Sequence, residues 1–142
     1  MRITIPQHHF SLEPSTEWVA DDMDPEAVDS FGIYLRSLEL GVFLNVRPED
    51  AGDHPLTADG LTALLREQSW ASAPFDEWLH ESGPLIIVGG TFETVGMGGE
   101  VVLEVFATDG RSLANLVGPG ERAVIAALVP SVKRLAGTLH FE

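Results

Sequence analysis

The chain has 142 residues, which suits a single domain over residues 1–142 that buries roughly two thirds of its unfolded surface. It has no cysteine, which excludes disulfides and thiolate chemistry, and its formal net charge of −14 argues against binding to nucleic acid or to anionic membranes. The N-terminus lacks the apolar core of a signal peptide and no run approaches the ~20 apolar residues that span a bilayer, so we expect a cytoplasmic protein.

The first 30 residues predict a strand, a polar connection and a short helix. Residues 2–6 alternate in polarity as a strand does, and residues 10–12 extend this strand after a turn. Residues 13–18 form a polar connection that ends in a tryptophan. Asp24-Pro25 is typical of an N-cap followed by a first-turn proline, which predicts a short helix there.

The middle of the chain predicts a hairpin, a helix and an irregular segment. Apolar side chains occupy every second position of residues 31–38 and 42–46, which predicts two antiparallel strands. Thr57 can cap a helix that runs to about residue 68 with its leucines on one face. Residues 69–82 contain several aromatic residues, and we expect an irregular segment with one helical turn after Pro74.

Three consecutive strands are predicted over residues 84–116. The first is an apolar run rich in β-branched residues, and Gly96-Met97-Gly98-Gly99 supplies glycines for the turn that follows. Residues 101–106 are apolar on both faces, which indicates a central strand. Asp109-Gly110 is a strong hairpin signal before the third strand.

The C-terminus predicts an amphipathic helix over residues 121–136, which Pro130 should kink or split. Gly137 ends this helix, and Leu139 with Phe141 can add a last strand. Strands and helices in this order predict an α+β domain, with a mainly antiparallel sheet flanked by helices.

The chain resembles the PsbP-like family, which includes the Mog proteins, over nearly its whole length. The resemblance rests on strand ends and turns, namely Ile3-Thr4-Ile5-Pro6, Phe10, Trp18, Phe43-Leu44-Asn45-Val46, Gly89-Gly90-Thr91, Asp109-Gly110 and Thr138-Leu139. It implies an α/β/α sandwich and a non-enzymatic accessory or binding role. No functional residue of the family can be matched to a position in this sequence.

No motif of catalysis or metal binding stands out. The five histidines show no metal-ligand spacing, and there is no G-x-S-x-G nucleophile elbow. Acids alternate at Asp22 and Asp24, but Ala27 stands where a calcium loop needs glycine. We therefore expect no metal, no cofactor and no catalytic residue.

Partner binding is the role we expect of two groups of side chains. Large aromatic anchors dominate binding energy, and nearby charges steer the approach of a partner. The alternative is that the rings simply cover an edge of the sheet. If Trp78 contacts a partner, its replacement by alanine should weaken binding and leave the melting temperature nearly unchanged. The candidate residues are Trp70, Phe75, Asp76, Glu77 and Trp78, with Asp21, Asp22 and Asp24.

Three functional hypotheses follow from these residues and the charge. The first is a non-enzymatic acidic module that binds a basic protein partner, for example as an immunity or inhibitor protein. The second is a small-ligand or enzymatic domain with a pocket beside residues 70–82 and with His80 and Glu77 as acid and base. The third is a purely structural subunit that forms a homodimer, with residues 101–106 in the dimer core.

Overall fold

A seven-stranded antiparallel sheet lies between two helices in the computed structural model, which describes residues 2–5, 10–20, 32–68, 73–94 and 100–141. Its strand order is β3-β4-β5-β9-β8-β7-β6, and β1, β2 and β10 form a smaller sheet. The elements are β1 (Ile3–Ile5), β2 (Phe10–Leu12), β3 (Trp18–Ala20), β4 (Ile33–Ser37), β5 (Phe43–Glu49), α1 (Ala58–Arg66), β6 (Phe75–Ser82), β7 (Leu85–Glu93), β8 (Glu100–Thr108), β9 (Leu113–Glu121), α2 (Arg122–Ala136) and β10 (His140–Phe141).

The two faces of the large sheet bury separate hydrophobic clusters. The larger cluster lies under α2 and includes Leu103, Val105 and Leu128, all fully buried, and the small sheet adds Phe10 and Leu12 to it. The smaller cluster lies under α1 and includes Leu61, Leu65, Val88, Phe92 and Phe106. The architecture is therefore an α/β/α sandwich of the α+β class, as the sequence predicts.

The predicted meander of three strands is confirmed as β7, β8 and β9. Strand β8 pairs with both neighbours and is buried on both faces, because each face of the sheet carries a helix at this point. This burial places residues 101–106 inside the domain, so the suggestion that they form a dimer core is wrong. The turn at Asp109 is also confirmed, since its Oδ1 accepts hydrogen bonds from the N–H groups of Arg111 and Ser112, both at 2.9 Å.

Both predicted helices are present. Thr57 caps α1, and its Oγ1 accepts a hydrogen bond from the N–H of Gly60 at 3.1 Å. The sequence predicts that Pro130 kinks or splits the second helix; α2 runs through it as one element of 15 residues, so the split is wrong. Proline removes the hydrogen bond to the carbonyl of Ala126, but both residues lie on the exposed side of the helix, where water can hydrogen-bond that carbonyl.

Several predictions for the N-terminal part need correction. Residues 10–12 do not extend the first strand but form β2, which pairs antiparallel with β1. The expected polar connection ends in strand β3, which pairs with β4. The predicted helix at Asp24 and the predicted glycine turn at residues 96–99 lie outside the described residues. The hairpin of β4 and β5 is confirmed.

A buried carboxylate lies in the middle of the sheet on the α1 face. Glu104 is only 3% exposed, and its Oε1 accepts a hydrogen bond from Asn115 Nδ2 at 3.2 Å. Asn115 is fully buried and also donates to the carbonyl oxygen of Val105 at 3.1 Å. A buried carboxylate needs such donors, since burial without them is costly. We therefore assign this pair to the interior of the fold.

No helix in the described part of the chain is long and apolar enough to cross a bilayer.

Candidate functional site

The segment that the sequence predicts as an irregular loop is in fact a strand at the outer edge of the sheet. Strand β6 pairs on one side with β7 and ends the strand order. An edge strand presents unpaired N–H and C=O groups along its outer side, which can pair with another chain. The expected helical turn after Pro74 is therefore wrong, and Phe75, Asp76, Glu77 and Trp78 belong to this edge.

A β-bulge in β6 determines which way these side chains point. Phe75 is opposite Thr91 and Trp78 is opposite Gly89, so Asp76 and Glu77 together face one residue of β7. Asp76 has a φ of +51°, in the left-handed region that aspartate tolerates better than most residues. As a result, both aromatic rings point to the α2 face.

Trp78 packs tightly on strand β7. Gly89 lies directly under its indole, and a Cβ at position 89 would overlap ring atoms Cζ2 and Cε2. A glycine inside a strand often marks such a close approach. Lys133 of α2 caps the ring with its Nζ 4.8 Å from the centroid, so Trp78 is held between the sheet and the helix. The ring packs against the core, contrary to a purely partner-facing role.

Phe75 packs against the first turn of α2. The guanidinium of Arg122 lies 4.3 Å from its ring centroid, and Arg122 Nη2 is 2.8 Å from Glu93 Oε1. Between β6 and α2 these side chains leave a cavity of about 240 Å³, which we call the β6–α2 pocket. Its walls are Phe75, Asp76, Trp78, Thr91, Arg122, Ala126 and Val129. Such a cavity has room for one large side chain or a small ligand.

The proposed acid and base, Glu77 and His80, lie on opposite faces of β6. Glu77 points to the α1 face, where its Oε2 lies 3.1 Å from Arg66 Nε. His80 is opposite Ile87 on the α2 face and lines a different cleft with Lys133. These two side chains cannot act on the same substrate atom. The expectation that His80 and Glu77 act together as acid and base is therefore wrong.

A solved structure shares the architecture of the whole chain. The solution structure of cyanobacterial PsbP (CyanoP) from Synechocystis sp. PCC 6803 aligns with 100% of this chain and with 92% of its own, with a TM-score of 0.61 and 12% sequence identity. The chain has a PsbP-like fold. At this identity the likeness establishes the fold alone. No protein-family model and no curated protein sequence matches the chain.

The candidate residues of the PsbP-like domain fall into two groups. Phe75, Asp76, Glu77 and Trp78 are brought together at the edge of the sheet. Trp70, Asp21, Asp22 and Asp24 lie outside the described residues. Within the part that is described, no three acidic or histidine side chains gather as metal ligands.

Acidic and apolar side chains are exposed along the outer strand of the PsbP-like sheet. Leu79 is 53% exposed, and Glu81 beside it is exposed as well. Alternation places Glu77, Leu79 and Glu81 on the α1 face, while the aromatic rings lie on the other. Because Arg66 pairs with Glu77, Glu81 is the exposed acid on one face of this edge, and the other face offers the β6–α2 pocket.

Sequence reasoning missed the helix side chains that complete the pocket. Arg122 and Val129 come from α2, some 50 residues after Phe75. Gly89, which makes room for Trp78, was visible as a glycine inside a predicted strand and was the one local signal of this close packing.

Proposed function

We propose that this PsbP-like domain is a non-catalytic binding module that takes a basic, extended segment of a protein partner onto the outer edge of β6. The observation that carries the proposal is the edge itself, with the exposed acid Glu81 on one face and a pocket on the other. A segment that pairs with an edge strand gains affinity from main-chain hydrogen bonds and specificity from alternate side chains. An inhibitor that covers a basic surface is one specific form of this function.

The alternation of side chains along β6 predicts the sequence pattern of the partner segment. Residues directly opposite each other in paired strands point to the same face of the sheet. Glu77 is already paired with Arg66, so the partner should carry lysine or arginine opposite Glu81, and apolar residues on the side of the β6–α2 pocket. The net charge of −14 would also raise the rate of encounter with a basic segment.

A second copy of the chain is a poorer occupant of this edge. Antiparallel pairing of two β6 strands centred on Leu79 would place Glu77 of one copy opposite Glu81 of the other. Like charges directly opposite each other destabilise a strand pair. A homodimer through this edge is therefore disfavoured relative to a basic partner.

The experiment uses two dye-labelled peptides of ten residues, one alternating Lys with Phe and the other alternating Glu with Phe. Fluorescence anisotropy at 150 mM salt should show binding of the lysine peptide and none of the glutamate peptide. Glu81→Lys should lower the affinity for the lysine peptide by about tenfold, since it places a like charge opposite a partner lysine.

The matched control is Glu39→Lys, which changes the net charge equally. Glu39 is exposed in the turn between β4 and β5, on the other half of the sheet. It should alter affinity by less than about twofold, because salt screens distant charges. Equal losses in the two variants would show a response to net charge alone and would refute binding at the β6 edge.

A small apolar ligand in the β6–α2 pocket is the second candidate function. The cavity of about 240 Å³ favours it, because two aromatic rings, an alanine and a valine line it beside three polar side chains. Val129→Trp should abolish binding of such a ligand. The lysine peptide should still pair with the edge backbone of this variant and bind with reduced affinity.

A further inference from the structure

Helix α1 covers only part of its face of the large sheet. It packs on β7 and β8. No helix of the described chain lies on the same face of β3, β4 and β5. That face carries Val19, Tyr34 and Phe43, which are exposed, and Arg36, which is half-buried; we name these four residues the β3–β5 face.

The register of the strands makes the β3–β5 face a contiguous patch. Arg36 is directly opposite Val19 on one side and Phe43 on the other. Tyr34 lies two residues along β4 and therefore on the same face. The alternate residues Leu35 and Leu44 are fully buried on the α2 face, which confirms the assignment of the faces.

Most of this patch is accessible. Val19 is 38% exposed, Tyr34 37% and Phe43 45%. Tyrosine, phenylalanine and arginine are the residue types that are enriched where proteins bind one another. Here they lie side by side on a rigid sheet, which would lose little conformational freedom on binding.

Arg36, like Arg111, has no acidic partner among the described residues, in a chain with 22 acids and 8 bases. Five other arginines each have a carboxylate within 4.0 Å, namely Arg2, Arg47, Arg66, Arg122 and Arg134. No described carboxylate lies that close to Arg36. Arg36 is half-buried in the middle of an apolar surface, where a partner carboxylate would be partly shielded from water.

We propose that the β3–β5 face binds a protein segment in which a carboxylate side chain is flanked by apolar ones. The carboxylate would pair with Arg36, and the apolar groups would cover Val19, Tyr34 and Phe43. This surface differs from the β6 edge in place and in charge preference, so the domain would join an acidic segment at one side of the sheet and a basic one at the other.

Other occupants fit the charges less well. Nucleic acid and anionic lipid would be repelled by the net charge of −14, and one arginine does not offset it. A symmetric dimer with its axis at Arg36 would bring the two copies of this arginine together. A segment with an isolated acid among apolar residues avoids both problems.

The probe is a phage-displayed library of random 12-residue peptides, selected on the wild-type protein with excess free Lys–Phe peptide to block the β6 edge. Selected sequences should combine Asp or Glu with neighbouring Leu, Phe or Trp. A synthetic copy of the strongest binder should lose at least about tenfold in affinity with Arg36→Glu, as expected when a charge pair becomes a repulsion. Replacing its acid by Lys should restore binding to that variant.

The matched control is Arg111→Glu, since Arg111 is exposed at the β8–β9 turn and also lacks a described carboxylate partner. It should leave affinity within about twofold of wild type. The proposal is overturned if no peptide is enriched, if basic peptides are enriched, or if both arginine variants weaken binding equally. Self-association in sedimentation experiments that Phe43→Ser abolishes would instead assign the face to a second copy.

Discussion

The contact between Trp78 and Gly89 predicts a strong energetic coupling between these two residues. In the wild type, Gly89→Ala must displace the indole, because the new Cβ would overlap it. Overpacking of this kind costs about 1–3 kcal/mol. For a domain of this length, a loss of about 2 kcal/mol lowers the melting temperature by about 6 °C.

The same substitution should behave differently once the ring is removed. Trp78→Ala alone should cost about 2 kcal/mol, less than the 3–5 kcal/mol of a fully buried tryptophan, because Trp78 is half-buried. In that background Gly89→Ala meets no ring and should stabilise the strand by about 0.5 kcal/mol, since alanine is a better strand residue than glycine. The coupling between the two sites is then about 2.5 kcal/mol.

Urea denaturation of the wild type, both single variants and the double variant measures this coupling. Gly90→Ala is the matched control, because a Cβ there would lie 3.1 Å from Leu65 Cδ2 and does not meet Trp78. It should cost the same with and without the tryptophan. If Gly89→Ala is equally costly in both backgrounds, the ring does not lie on Gly89 and the assignment of Trp78 to the core is refuted.

Three further changes test other parts of the structure by urea denaturation. Hydrogen bonding to Arg134 lowers the pKa of Glu17 from 4.5 to about 2, so its stabilisation is complete above pH 4.5 and is lost as the pH falls towards 2. Glu17→Gln should flatten the stability profile in that range, and an unchanged profile would exclude the contact. Asp76→Val should lose about 1–2 kcal/mol because its φ is +51°, whereas Asp76→Gly should not; equal effects would refute the left-handed conformation. Pro130→Ala should gain about 1–2 kcal/mol by restoring a hydrogen bond to Ala126, and a loss of stability would contradict an intact helix through Pro130.

The elements with strong local signals could be predicted from the sequence. Helix α1 combines a capping Thr57 with leucines on one face, and both features depend only on neighbouring residues. Strand β8 is apolar on both faces, and Asp109-Gly110 fixes the turn after it. The PsbP-like fold that the resemblance implies is confirmed as a fold.

Strand β6 was missed because its own sequence does not alternate. The bulge places Asp76 and Glu77 opposite a single residue, which breaks the period of two that identifies a strand. The strand forms because β7 pairs with it. The β6–α2 pocket could not be predicted either, because Phe75 contacts Arg122 only when the sheet and α2 have packed together.

The β3–β5 face was hidden for a different reason. The alternation of β4 and β5 predicts that Tyr34, Arg36 and Phe43 point away from the core, but it does not show whether a helix covers them. That depends on the short length of α1, nine residues, and on its placement over β7 and β8.

Hydrogen–deuterium exchange of the protein with and without the Lys–Phe peptide tests the proposed function most directly. Binding as an added strand requires new hydrogen bonds to the outward-facing N–H groups of residues 75–82, so their exchange should slow by at least about tenfold, with little change in β3 at the opposite edge of the sheet. Binding without protection of β6, or with protection confined to other strands, would contradict the claim that this edge receives the partner.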